Sequence, residues 1–164
     1  MALGNSIRSI LLVIVAAIIL SACAAKTTKK IESAVSQISG DTYAGSETVK
    51  YLATGVPDRV LFATNKSVLT TASRDTLRKQ AAWLRENKSI NVTVEGHADE
   101  RGTREYNLAL GERRANAAKD YLMTYGISGN RISTISYGKE RPVNSGSGPL
   151  AWSQNRRSVT VKAN

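Results

Sequence analysis

The stretch Val94–Asn116, VEGHADERGTREYNLALGERRAN, leaves the end of a predicted strand, crosses a short charged loop and enters a predicted helix. On its N-terminal side, Ile90–Val94 (INVTV) alternates apolar and polar residues, the period of a half-buried strand. On its C-terminal side, a helix is predicted from Arg104 to Tyr125, ending at Gly126, a residue suited to the left-handed position after a helix. With Tyr106 placed at 0° and about 100° added per residue, Leu110, Ala117, Ala118, Tyr121, Leu122 and Tyr125 share one broad apolar stripe. Glu112, Asn116, Lys119 and Asp120 fall on the other side. Arg114 lands near the middle of the apolar stripe, Asn107 lies close to the same line, and Arg113 sits at its edge.

A cation on a core-facing stripe needs an explanation, because burying an unpaired charge costs several kcal/mol. Two explanations remain open from the pattern. Arg114 either forms an internal salt bridge to Asp99, Glu95 or Glu100, or lines a pocket that receives a carboxylate or phosphate through its planar fork. Backbone N–H groups at the helix start add donors for such an anion. Gly96 permits a tight exit from the strand and Gly102 a second turn before the helix, so Asp99 is presented on a loop near Arg114. An anion and a cation side by side suit a zwitterion, with its amino group on Asp99 and its carboxylate on Arg114.

Working outward, Val60–Phe62 is a short strand candidate. Leu69–Asn87 reads as a helix from the spacing of Leu77, Ala81 and Leu84, with Trp83 beside them in the core and Thr70 or Thr71 as N-cap. Ile132–Tyr137 is a third strand, Gly138–Gly148 a Gly/Ser/Pro loop, and Arg157–Lys162 a last strand with Ser158 to Val161 alternating. The order β-α-β-α-β-β predicts an α/β (α+β) sandwich with helices on one face of a mixed sheet. No internal repeat is evident.

The N-terminal thirty residues read differently. Arg8 precedes the apolar run Ile10–Leu20, which is shorter than the roughly 20 residues of a membrane span and is followed by Ser21, Ala22 and Cys23. Leu20-Ser21-Ala22-Cys23 resembles the bacterial lipobox, in which the cysteine thiol takes a diacylglycerol and becomes the acylated N-terminus after cleavage. Each buried CH₂ contributes ~0.8 kcal/mol, and several acyl chains anchor stably where one does not. The expected organisation is a signal peptide over 1–22, a lipidated N-terminus and flexible tether over 23–56, and a folded domain over 57–164. A short helix over Ile31–Ile38 within the tether is an alternative to full flexibility. By analogy with enterobacterial sorting, Ala24 after the cysteine, rather than Asp, points to the outer membrane.

Lys and Arg number 23 against 13 Asp and Glu, a formal charge of +10. That balance suits an anionic polymer or membrane face, or simply a basic soluble surface. Scattered aromatics give no base-stacking platform, so nucleic acid is not expected as a partner. One histidine and one cysteine, the latter committed to lipid, leave no metal site and no Cys/His nucleophile, and no serine stands in a Gly-x-Ser-x-Gly turn. No catalytic residue is assigned. His97 is expected to order its loop through hydrogen bonds, Trp152 to anchor a loop or meet a partner, and Arg101 and Arg104 to form a solvated rim.

The stretch Val94–Ala115, together with Tyr137–Pro142 (YGKERP) and Asn155–Val161 (NRRSVTV), closely resembles the OmpA C-terminal-like domain family over about Val60–Val161. The resemblance implies an outer-membrane lipoprotein whose periplasmic domain binds peptidoglycan through meso-diaminopimelate. It implies Asp99 and Arg114 as the grip and Asn107 as a polar residue lining the same pocket. Arg156 and Arg157 are weaker candidates, as are Thr64 and Asn65, where Phe62-Ala63-Thr64-Asn65 replaces the acidic segment frequent in the family. It also implies a TolB-like periplasmic partner, and no cofactor beyond the lipid on Cys23. The alternative is a structural lipoprotein or envelope interaction module in which Asp99 and Arg114 pair with each other.

Overall fold

The computed structural model describes residues 51–163. The apolar run, Cys23 and the expected tether as far as residue 50 lie outside the described residues. A small antiparallel hairpin comes first, β1 (Tyr51–Ala53) and β2 (Val56–Pro57), turning at Gly55 with φ +74°. Then follow β3 (Arg59–Leu61), α1 (Thr71–Glu86), β4 (Val92–His97) and α2 (Arg104–Thr124). A 3-10 turn (Gly129–Arg131), β5 (Ile132–Gly138), α3 (Pro149–Asn155) and β6 (Arg157–Lys162) complete the chain.

The main sheet has the order β3-β6-β4-β5, with β4 and β5 parallel and the other two pairings antiparallel. The last strand is therefore inserted between β3 and β4. The predicted mixed sheet and its β-α-β-α-β-β order are present, with three additions. The hairpin occupies the last residues of the span read as tether, in strands too short to show a period. The 3-10 turn is one addition more. The third, α3, is only two turns long and starts with Pro149 after Gly148 at φ +116°. The strand expected over Ile90–Val94 instead runs Val92–His97, because the buried alternation of Val92 and Val94 continues through Gly96.

Both long helices carry the caps their sequences supply. The Thr70 hydroxyl accepts from the Ser73 N–H at 3.1 Å, and the Thr103 hydroxyl from the Tyr106 N–H at 3.2 Å. Gly126 ends α2 at φ +83°, donating to the Met123 carbonyl. Arg131 reaches back to α1, where its guanidinium donates to the carbonyls of Leu84, Asn87 and Ile90. A cation there complements the negative end of the helix.

One contiguous core joins Val60, Phe62, Leu77, Leu84, Val92, Val94, Ala115, Ala118 and Leu122, so α1 and α2 lie on the same sheet face. Full burial of a leucine in such a core contributes about 1.5–3 kcal/mol. Trp83 lies at the core's edge, partly buried, with the Lys162 ammonium 5.2 Å from its ring. The buried line of α2 is Asn107, Leu110, Gly111, Arg114, Ala115, Ala118 and Leu122. This is rotated from the predicted stripe: Ala115 is buried, Ala117 only half-buried, and Tyr106, the 0° reference, is 43% exposed. Gly96 and Gly111 explain the rotation. A Cβ on Gly96 would overlap the Gly111 carbonyl oxygen, and a Cβ on Gly111 would overlap the Ser136 hydroxyl and lie 2.9 Å from the Gly96 oxygen. The helix backbone touches the strand backbone here, so Gly96 serves close packing rather than a chain exit. Gly102, at φ +88°, is the residue that turns.

On the opposite face His97 packs against Tyr137, with ring centroids 5.5 Å apart. It is 2% exposed, and among the described residues neither ring nitrogen has a hydrogen-bond partner. The nearest carboxylate oxygen, on Glu95, is 3.6 Å away. Among the described residues, the ring therefore forms none of the expected loop-ordering hydrogen bonds with good geometry. Burial, reinforced by the charges of Arg157, Arg59 and Arg141, pushes the imidazole down to about 3.

Two measurements follow from this packing. In urea unfolding, Gly96→Ala is expected to lose more than the ~1–3 kcal/mol usual for overpacking. Gly111→Ala should lose less, because the first atom its Cβ meets is a hydroxyl that can rotate. The unfolded histidine titrates near 6.5 and the folded one near 3, so the unfolded state binds more protons between those values. Stability then falls as pH drops below about 6.5, by at most ~1.4 kcal/mol per pH unit from this residue. His97→Gln should flatten the profile between about pH 6.5 and 4.5 relative to the parent; superimposable slopes would refute the assignment.

Candidate functional site

At the C-terminal end of β4 the chain turns through Ala98, Asp99 and Glu100 before α2. The Ala98 N–H donates to the Gly138 carbonyl at 2.7 Å, which holds this turn against the end of β5. The site is built where this turn meets the loop after β3, the buried line of α2 and the segment joining α3 to β6.

Arg114 is fully buried, and its guanidinium donates to three backbone carbonyls. Nε reaches Lys66 at 2.9 Å, Nη1 reaches His97 at 2.8 Å and Nη2 reaches Ala63 at 3.2 Å. Its Cζ stands 5.2 Å from the Phe62 ring centroid. Burial, with Arg156 nearby and partly offset by Asp99, lowers its pKa to about 10, so it remains a cation at neutral pH. Arg114 forms no ion pair among the described residues. Neither the salt bridge to Asp99, Glu95 or Glu100 that the sequence left open nor the self-paired Asp99–Arg114 arrangement is present, because the guanidinium bonds carbonyls instead. Of its five N–H donors, three are used in these bonds and two remain.

Asp99, 7% exposed, is paired with other arginines. Arg101 grips both carboxylate oxygens, Nε on Oδ1 at 2.9 Å and Nη2 on Oδ2 at 2.7 Å, and its backbone N–H adds a bond of 3.2 Å to Oδ1. Arg156 approaches Oδ2 at 3.6 Å while its Nε donates to the Phe62 carbonyl at 3.0 Å. Burial alone would raise the Asp99 pKa, but the hydrogen bonds and charge of Arg101, with Arg156, hold it below the ordinary carboxylate value. Asn107, 2% exposed, donates from Nδ2 to the Arg101 carbonyl at 2.7 Å and braces the same turn.

The structure thus brings together Asp99, Asn107, Arg114 and Arg156. Arg157 is directed elsewhere: it alternates to the other sheet face, where Nη2 donates to the Arg141 carbonyl at 3.1 Å. Thr64 is half-buried and Asn65 exposed, at the tip of a turn closed by the Lys66 N–H on the Ala63 carbonyl. Asn65 stands at φ +56°, a left-handed conformation that asparagine tolerates better than most residues. Both carbonyls flanking this tip belong to residues held by Arg114.

Sequence reasoning missed the clasp around Arg101. The Arg101 guanidinium lies 4.2 Å from the ring centroid of Trp152 on α3, so Arg101 is part of the site as well as of its solvated rim. The Trp152 indole donates to Glu100 Oε1 at 2.8 Å, and the Ser147 hydroxyl bonds the same oxygen. These two bonds lower the Glu100 pKa. Trp152 therefore anchors the Glu100 turn. The i, i+2 spacing of Asp99 and Arg101 was a usable signal; the tryptophan's contact across 52 positions was not. Arg104, pairing with Glu140 at 3.4 Å, does lie in solvent as expected. Among the described residues, no three His, Cys, Asp or Glu side chains gather to hold a metal, and no helix is long and apolar enough to cross a membrane.

Comparison with known proteins matches this architecture. The OmpA family matches residues 61–156. A peptidoglycan-associated lipoprotein of Mesorhizobium japonicum is 44% identical over 152 residues, 93% of this chain and 90% of that protein. One from Rhizobium meliloti is 55% identical over 106 residues, 65% of this chain and 60% of its own length. The crystal structure of the peptidoglycan-associated lipoprotein from Burkholderia pseudomallei has a TM-score of 0.63 at 34% identity, covering 65% of this chain and 90% of that one. The C-terminal domain of Helicobacter pylori MotB, at TM-score 0.61 and 19% identity, shares the fold. The family match spans more than half of the sequence and takes in the strand end, the charged turn and the arginine-bearing helix, so the chain belongs to the OmpA family.

Proposed function

We propose that this chain is an outer-membrane lipoprotein, anchored by lipid on Cys23, whose periplasmic domain holds peptidoglycan non-covalently through meso-diaminopimelate. It performs no catalysis and joins the membrane to the cell wall, working within a Tol-Pal system alongside a TolB-like partner. The observation that carries the reading is the placement, at one strand end, of a buried carboxylate, Asp99, and a buried cation, Arg114, which do not bond each other and of which Arg114 keeps two N–H donors beyond its three carbonyl bonds. The names of its relatives point to the same polymer.

Asp99 receives the ligand ammonium and Arg114 its carboxylate, with Asn107 holding the turn between them. Thr64 and Asn65 border the seat from the loop that Arg114 pins. Charge-assisted hydrogen bonds of this kind contribute about 1.5–3 kcal/mol each. One domain therefore binds modestly, and many copies along a polymer hold by avidity.

Titration with a stem peptide carrying meso-diaminopimelate and with its lysine counterpart, which lacks the distal carboxylate, tests this. The diaminopimelate peptide is expected to bind about 10- to 100-fold more tightly. Asp99→Asn should weaken both peptides. Equal affinities, or full binding by folded Asp99→Asn, would show that the seat does not read a zwitterion. Arg114→Met should also lower stability by about 1–3 kcal/mol, because it leaves the buried His97 carbonyl unpaired and frees the part-buried carbonyls of Ala63 and Lys66, a loss read in urea unfolding.

A further inference from the structure

The two arginines on Asp99 differ in kind. The Arg156 side chain is 4% exposed and fixed to the Phe62 carbonyl. The Arg101 side chain is 42% exposed and belongs to the same short turn as the carboxylate it grips. Arg101 covers both oxygens of Asp99, so the atoms that would take a ligand ammonium are already occupied by a guanidinium. Exposed ion pairs are weak, which makes Arg101 the partner that can exchange and Arg156 the one that stays. Trp152 supplies a place for it to remain, since its ring already lies under the guanidinium and its indole is fixed by Glu100. A cation over an aromatic face is stabilised without an anion.

Resting on the reading that Asp99 receives an ammonium, we infer that Arg101 is a displaceable plug of that seat and a determinant of its selectivity. An incoming ammonium exchanges with Arg101 on Asp99, and the released guanidinium stays over Trp152 beside the seat. Its positive charge then repels a plain alkylammonium and meets the carboxylate of a zwitterion. The same residue therefore competes with every cation and compensates only those that bring their own anion.

The test is Arg101→Gln, with Arg101→Lys as the charge-retaining control, titrated with the diaminopimelate and lysine stem peptides. Unfolding midpoints confirm that each variant is folded. The lysine peptide is expected to bind Arg101→Gln about two- to tenfold more tightly than the parent. The diaminopimelate peptide should change less, so the ratio of the two affinities falls. Arg101→Lys should restore most of that ratio, which a purely structural role of the guanidinium would not do. An unchanged ratio, or weaker binding of both peptides to Arg101→Gln, overturns the plug while Asp99→Asn still weakens binding in the parent background. Binding that ignores Asp99→Asn overturns the zwitterion reading itself, and the plug with it.

Discussion

A charge sealed from solvent has to be surrounded by groups that neutralise it, and Arg114 is surrounded by main chain. Its three acceptors come from two places, the loop after β3 and the last residue of β4, while its own backbone belongs to α2. One side chain therefore fixes three segments relative to one another. The turn after β3 has no secondary structure of its own between Phe62 and Thr70, and the guanidinium gives it a fixed position. Such an arrangement depends on the planar fork, because a point-like ammonium cannot serve carbonyls in several directions at once.

The second constraint is the contact of Gly96 with Gly111. It sets how closely α2 approaches the sheet and which line of α2 faces inward. Arg114 lies one helical turn beyond Gly111, so the same contact aims it at the end of β4. Packing and site are thus two results of a single helix rotation. Asp99 follows from the turn after β4, which Asn107 braces from the first turns of α2.

The long elements were legible in the sequence because each has its own period: 3.6 residues for the two helices, 2 for β4 and β6. The burial of Arg114 was legible for the same reason, since its phase on the helix could be counted. Its partners were not. Periodicity orders residues along one element and carries no information about a carbonyl 48 or 51 positions away. A rotation of α2 by less than one residue's arc moved Ala117 to the edge and Ala115 in, and only the glycine contact decides that. The hairpin and α3 were hidden by their shortness. The sequence offered Arg156 and Arg157 alike, and only the structure separates them, one at Asp99 and the other donating to the Arg141 carbonyl on the opposite sheet face.

The place of β6 in the sheet bears on when this domain can form at all. Leu61 pairs with Arg157, and Gly96 with Ser158, so two of the three ladders in the main sheet need the strand that comes last in the domain's chain order. Until that segment is available, β3 has no neighbour and β4 has only β5. Contacts so distant along the chain form slowly, after the entropy of closing long loops has been overcome. The domain is consequently held open until β6 takes its place, and the two long helices have only part of their sheet to pack on before that.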